Sequence, residues 1–127
     1  MDKNTKVLLG IGIFALLIIV VLTISVTDFG SAGKYDDFAQ CLTDSGAKIY
    51  GAYWCPYCIE QKNKFGKSWS KINYIECSLP ERAGTTQPCI SAGIQKYPTW
   101  EFSDGSRLED VLSLKALSER TGCPLEA

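Results

Sequence analysis

GAKIYGAYWCPYCIEQKNKFGKS, residues 46–68, is the stretch on which the fold turns. Its first part, Ala47 to Ala52, is small, apolar or aromatic apart from Lys48, and reads as a short buried strand. Pro56 then suits a first helical turn, where its missing N–H costs nothing. Ile59, Lys62 by its stem, Phe65, Trp69 and Ile72 continue one face onward, so a helix is expected to begin at Cys55-Pro56-Tyr57-Cys58.

Outward from this strand and helix, the remaining elements fall into place. Upstream, Tyr35, Phe38 and Leu42 recur at helical spacing with Cys41 beside them, and Gly46 is placed to end that helix. Downstream, Asn73 to Cys77 reads as a second short strand, and Ile90 to Ile94 closes another helix. Pro98 to Ser103 forms a third strand turning at Asp104-Gly105, and Ser113 caps a last helix ending near Gly122. Strands alternating with helices in this order predict an α/β domain, a mixed central sheet flanked by helices, over 34–127.

Disulfide exchange needs one thiolate to attack and a second thiol near enough to resolve the mixed disulfide. Two residues between cysteines on a first helical turn bring the sulfurs together. Unpaired N–H groups and the macrodipole at a helix N-terminus favour negative charge, which makes Cys55 the expected nucleophile and Cys58 the resolving thiol. An isolated CxxC is also half of a zinc site. Here no second CxxC exists, Cys77 and Cys89 are separated by eleven residues, and the chain has no histidine. No metal is expected, and no cofactor beyond the redox-active disulfide itself.

A net charge of −1 without basic blocks leaves no electrostatic footprint for nucleic acid. The lack of histidine also excludes any His-based dyad or triad. Val7 to Val26 is a run of 20 residues with no charged side chain, about 30 Å long as a helix, which reads as a single transmembrane anchor. A cleaved signal peptide is the competing reading, with Ser31-Ala32-Gly33 as a weak cleavage site, although the run exceeds the usual apolar region of such peptides. Lys3 and Lys6 precede the span, while Asp28, Asp36 and Asp37 outnumber Lys34 after it. Residues 1–6 are therefore expected in the cytoplasm and the domain outside it, in periplasm, lumen or exterior, joined through a linker at 27–33. Six cysteines suit such an oxidising location.

GAKIYGAYWCPYCIEQKNKFGKS (46–68), YIEC (74–77) and CISAGIQKYPTWEFSDG (89–105) together resemble the thioredoxin superfamily over roughly Tyr35 to Gly122. Within it the chain is similar to thioredoxin-like domains fused to, or partnered with, bacterial and plant homologues of vitamin K epoxide reductase. The resemblance implies a thioredoxin-like fold and a donor or acceptor of disulfides. Its partners would be protein thiols on one side and a quinone-linked membrane oxidoreductase on the other. Tyr97-Pro98-Thr99 matches the family's cis-proline loop, which lies beside the CxxC and offers the backbone of Tyr97 to an extended substrate. A proline that merely opens a strand is the bland alternative for Pro98. Trp54 is expected to shelve the active site, with Pro56 and Tyr57 between the cysteines; a core or surface aromatic is the alternative for Trp54. Pro-Tyr at those positions also resembles glutaredoxins, though only locally. Many thioredoxins keep a buried acid six residues before the first cysteine, where Ile49 stands here. Proton removal from Cys58 is then left to water, Glu101 or the partner.

If Cys55 pairs with Cys58, the other four cysteines allow three connectivities. Cys77 with Cys89 is favoured, because the two bracket SLPERAGTTQP, and closing that loop limits unfolded freedom by about 3 kcal/mol. Cys41 then pairs with Cys123. A second redox role for Cys77 and Cys89 stays open, as do three functions: an oxidase of secreted thiols, a reductase or isomerase fed by a transmembrane electron donor, and a non-enzymatic binding module held by disulfides. A tether raises the effective concentration of the site near a membrane enzyme, which suits either redox direction.

Overall fold

The computed structural model describes residues 2–27 and 31–126, and of 24–27 the backbone alone. Internal contacts divide the chain into two units, Met1–Ser31 and Ala32–Ala127. In the first, helix α1 (Lys3–Thr27) exposes large apolar side chains from Val7 to Leu22, and its Lys3–Thr23 portion is long and apolar enough to cross a membrane. The linker expected at 27–33 falls at 28–30, with Asp28, outside the described residues.

The second unit holds helices α2 (Asp36–Asp44), α3 (Pro56–Phe65), α4 (Gln87–Ala92) and α5 (Leu114–Thr121). Its strands are β1 (Lys48–Gly51), β2 (Tyr74–Glu76), β3 (Thr99–Glu101) and β4 (Arg107–Leu108). They form one sheet in the order β2-β1-β3-β4, with β1 parallel to β2 and antiparallel to β3, and β3 antiparallel to β4. Parallel pairing of β1 and β2 requires a crossover, and α3 supplies it. This is the mixed sheet flanked by helices that the sequence predicts, and it is a thioredoxin-like fold.

Alternation along β1 sends Ile49 and Tyr50 to opposite faces. Ile49 joins Trp100, Phe65, Leu42 and Leu117 in the main core, to which α2, α3 and α5 all contribute. Tyr50 packs with Cys77 and Cys89, where α4 meets β2. Ser113 caps α5 by accepting from the Ala116 N–H at 3.0 Å, and Gly122 ends it in the left-handed region at φ 77°.

Strands β1 and β2 are each one residue shorter at both ends than expected, and three further boundaries differ. The helix after the CxxC does not run on to Ile72: α3 stops at Phe65, and a 3-10 turn (Gly66–Lys71) follows Gly66, whose φ is 55°. The buried face of α3 is Cys58, Gln61 and Phe65, whereas Ile59 is 46% exposed. Gln61 is inside because its amide satisfies groups with no other outlet: Oε1 accepts from Trp100 Nε1 and the Leu112 N–H, and Nε2 donates to the Leu112 carbonyl. Helix α4 ends at Ala92 rather than Ile94, because Gly93 turns left-handed. Strand β3 is confined to Thr99–Glu101, since the hairpin to β4 already closes with the Phe102 N–H bonded to the Ser106 carbonyl.

Candidate active site

Cys55 is the N-cap of α3, in extended conformation at φ −76° and ψ 121°, and Pro56 occupies the first turn behind it. Its carbonyl accepts the Ile59 N–H, so the chain enters the helix directly at the dithiol. Cys58 is the third helical residue. Both sulfurs are free thiols, 5% and 6% exposed, and they cluster with Ala52, Trp54 and Tyr97. Around them the surface is apolar and open, with Tyr57 62% and Tyr53 52% exposed.

The Tyr97-Pro98 peptide bond is cis, and the Tyr97 carbonyl lies 3.8 Å from Cys55 Sγ, within reach of a weak S–H donation. A cleft of about 290 Å³ runs between Tyr57 and this loop, with Glu109, Asp110 and Val111 on its other side. Trp54 meets Tyr97 edge-on at 6.2 Å. Its indole N–H donates to Ser78 Oγ at 2.8 Å, and the Arg82 guanidinium stands 4.7 Å over its ring. Glu81 and Arg82 both adopt positive φ, at 58° and 57°, in the loop that carries this contact.

Burial pushes the Cys58 thiol up to about 12, with the hydrogen bond to Cys55 and the charge of Glu76 adding to the effect and a backbone hydrogen bond at Ala52 opposing it. Glu101, one candidate to deprotonate Cys58, is at the wrong end of the sheet. It pairs in register with Lys48, the first residue of β1, whereas the CxxC follows the last. Its carboxylate is bound to Lys48 at 3.0 Å and Arg107 at 2.6 Å. Burial weakens it as an acid, but these two hydrogen bonds outweigh that and hold its carboxyl below the usual carboxylate range.

The remaining four cysteines form two disulfides, Cys41 with Cys123 and Cys77 with Cys89. Tyr74 and Glu76 also stand beside Cys58, and the sequence reading assigned them no role. The signal was there in the Tyr-x-Glu spacing, which puts both side chains on one face of a strand.

No family model matches the chain. It is 41% identical over 93 residues to the thiol-disulfide oxidoreductase LTO1 of Arabidopsis thaliana, covering 69% of this chain and 24% of that protein. It is 27% identical over 75 residues to mycoredoxin 1 of Corynebacterium glutamicum, covering 59% of this chain and 92% of the relative. The chain thus spans about a quarter of the plant relative's length and most of the bacterial one's. Likeness to a thiol-disulfide oxidoreductase and a mycoredoxin, on a sheet of this order with a dithiol at the head of α3, agrees with the thioredoxin-like fold and supports a general redox function.

Proposed function

We propose that the chain is a membrane-anchored thiol-disulfide oxidoreductase working outside the cytoplasm, with Cys55 as nucleophile and Cys58 as resolving thiol. The observation that carries this reading is the placement of Cys55 at the helix N-cap, 3.8 Å from the carbonyl that precedes cis Pro98. An extended peptide laid in the cleft beside Tyr57 and Tyr97 would bring its sulfur toward Cys55, next to the Tyr97 carbonyl.

In the oxidising direction, a substrate thiolate attacks Cys55 Sγ of the Cys55–Cys58 disulfide, and Cys58 leaves with the electron pair and takes a proton. A second substrate thiolate then attacks the substrate sulfur of the mixed disulfide and releases Cys55. The substrate loses two electrons and the dithiol gains them. The same two sulfurs return the electrons to a membrane partner carrying its own disulfide, for which we propose a quinone-linked enzyme resembling vitamin K epoxide reductase. Helix α1 is the proposed anchor, with Lys3 and Lys6 on the cytoplasmic side. No cofactor beyond the sulfurs is required by this scheme.

Replacing Cys58 with Ser tests it. The variant is expected to accumulate mixed disulfides through Cys55 to both substrate and partner, read as reductant-sensitive bands in cells. Absence of any such species counts against the reading. A resting dithiol that is oxidised in cells supports the oxidising direction, and a reduced one with a potential near about −270 mV supports reduction instead.

A further inference from the structure

Ile49 is fully buried in the main core, so the strand that leads into the dithiol offers Cys58 no acid. A carboxylate reaches the same thiol from the neighbouring strand. The Tyr74 hydroxyl donates to Glu76 Oε2 at 2.7 Å, while Glu76 Oε1 accepts the backbone N–H groups of Tyr53 at 3.2 Å and Ser78 at 2.8 Å. These bonds fix the carboxylate between β2 and the residue two places before Cys55. Gly51 makes the approach possible. A methyl group there would stand 2.9 Å from Cys58 Sγ, 3.0 Å from the Tyr74 ring and 3.4 Å from its hydroxyl. Cys58, Tyr74 and Glu76 line one cavity of about 150 Å³, walled also by Tyr53, Ile59, Lys62 and Trp69, which leaves ample room for a bridging water.

We infer that Glu76, working through the Tyr74 hydroxyl, accepts the proton of Cys58 when that thiol resolves a mixed disulfide. This rests on the roles proposed above for Cys55 and Cys58, and it holds in either redox direction, because Cys58 resolves the mixed disulfide with the membrane partner during oxidation and the one with substrate during reduction. Cys58 passes its proton across the cavity to the Tyr74 oxygen as Tyr74 gives its own to Glu76 Oε2. The Cys58 sulfur attacks Cys55 Sγ, the bond from Cys55 to the partner sulfur breaks, and that sulfur leaves with the electron pair. The leaving sulfur then takes up the proton that Glu76 holds. Burial sets the need: a thiol raised to about 12 is a thiolate only about once in 10⁵ at neutral pH, so unaided resolution is slow. Tyr74 is itself raised, first by burial and then by its bond to Glu76, which suits a relay that does not ionise.

The full chain in detergent micelles, with its dithiol reduced, is mixed with 5,5′-dithiobis(2-nitrobenzoate). A first thionitrobenzoate reports attack by Cys55, and a second reports resolution by Cys58. Glu76→Gln keeps the Oε1 acceptor for both backbone N–H groups. It is expected to slow the second release about 10²-fold and leave the first within about twofold. Tyr74→Phe is expected to slow the second release about tenfold. Between pH 6 and 8 the wild-type second release is expected to be flat, and that of Glu76→Gln to climb about tenfold per pH unit. A second release in Glu76→Gln with wild-type speed and pH dependence overturns the inference, and so does equal slowing of both releases. A wild-type chain that releases no thionitrobenzoate overturns the reading of Cys55, and the inference with it.

Discussion

Cys58 and Cys89 occupy the same local position. Each is the third residue of a helix with a proline just ahead of it, Pro56 in α3 and Pro88 in α4. Their surroundings differ. Cys58 shares its helix start with Cys55, opens onto a cavity and lies beneath exposed tyrosines. Cys89 is bonded to Cys77 at the end of β2, and neither has any exposed surface. A helix N-terminus favours negative charge in both places, and at Cys58 burial outweighs it. Access separates the two sites: Cys55, on the same turn as Cys58, lies at the surface cleft, while Cys89 has no exposed surface. The two sites also touch indirectly, because Tyr97 packs against the Cys77–Cys89 cluster on one side and against Cys55 on the other.

Substitution breaks the comparison most sharply at Cys55. Cys55→Ser is expected to bring exchange down to the uncatalysed background in an insulin-reduction or thiol-oxidation assay, whereas replacing both Cys77 and Cys89 with Ala is expected to leave exchange in place. The structural pairs answer in stability instead. Cys41 and Cys123 are 82 residues apart and Cys77 and Cys89 only 12, so loop closure predicts losses of about 4.5 and about 3 kcal/mol respectively when each pair becomes Ala. Urea midpoints for the two double variants check both the sizes and their order.

A third prediction sharpens the contrast between open and sealed sulfur. In Cys55→Ser combined with Glu76→Gln, where Cys58 is left as the free thiol without its proton acceptor, alkylation by iodoacetamide is expected to accelerate about tenfold per unit from pH 7 to 9. The sign follows from a thiol raised to about 12, whose reactive thiolate fraction keeps growing with pH throughout that window. Cysteines 77 and 89 are expected to take no label until the chain is unfolded and reduced, as peptide mapping by mass would show. The smallest effect is expected at Arg82, whose guanidinium covers Trp54 from the disulfide-closed loop. Arg82→Ala is expected to cost about 0.5–1 kcal/mol and to shift Trp54 fluorescence, with exchange slowed only slightly.

Much of this was legible in the sequence wherever the signal was local. Pro56 sets the start of α3, Ser113 and Gly122 bracket α5, and Asp104-Gly105 turns the hairpin, each through the backbone preference of one or two residues. Periodicity misled along α3, where Ile59 looks like core and Gln61 like surface. Ile59 belongs to the rim of the site, and Gln61 is drawn inward by an indole N–H and a loop backbone about fifty residues away in the chain. Glu101 was a reasonable acid by residue type, yet strand register puts it at the far end of β1. Glu76 was present in the sequence and unassigned, because the cysteine beside it in the chain is Cys77, while Cys58, the one whose cavity it shares, lies on a different element.

The sequence by itself determined the kind of chemistry and where it begins: two thiols on one helical turn, a strand leading in, and an apolar run long enough to cross a bilayer. Those features depend on residues within about one helical turn or one strand of each other, so spacing alone encodes them. Tertiary structure alone decided which carbonyl faces Cys55, which carboxylate shares a cavity with Cys58, and which cysteines are sealed. These contacts join β1, β2, α3 and the Tyr97-Pro98 loop, which meet only after the sheet has formed its order and register. Between segments so far apart in the chain, the encounter is set by packing, and no local pattern records it.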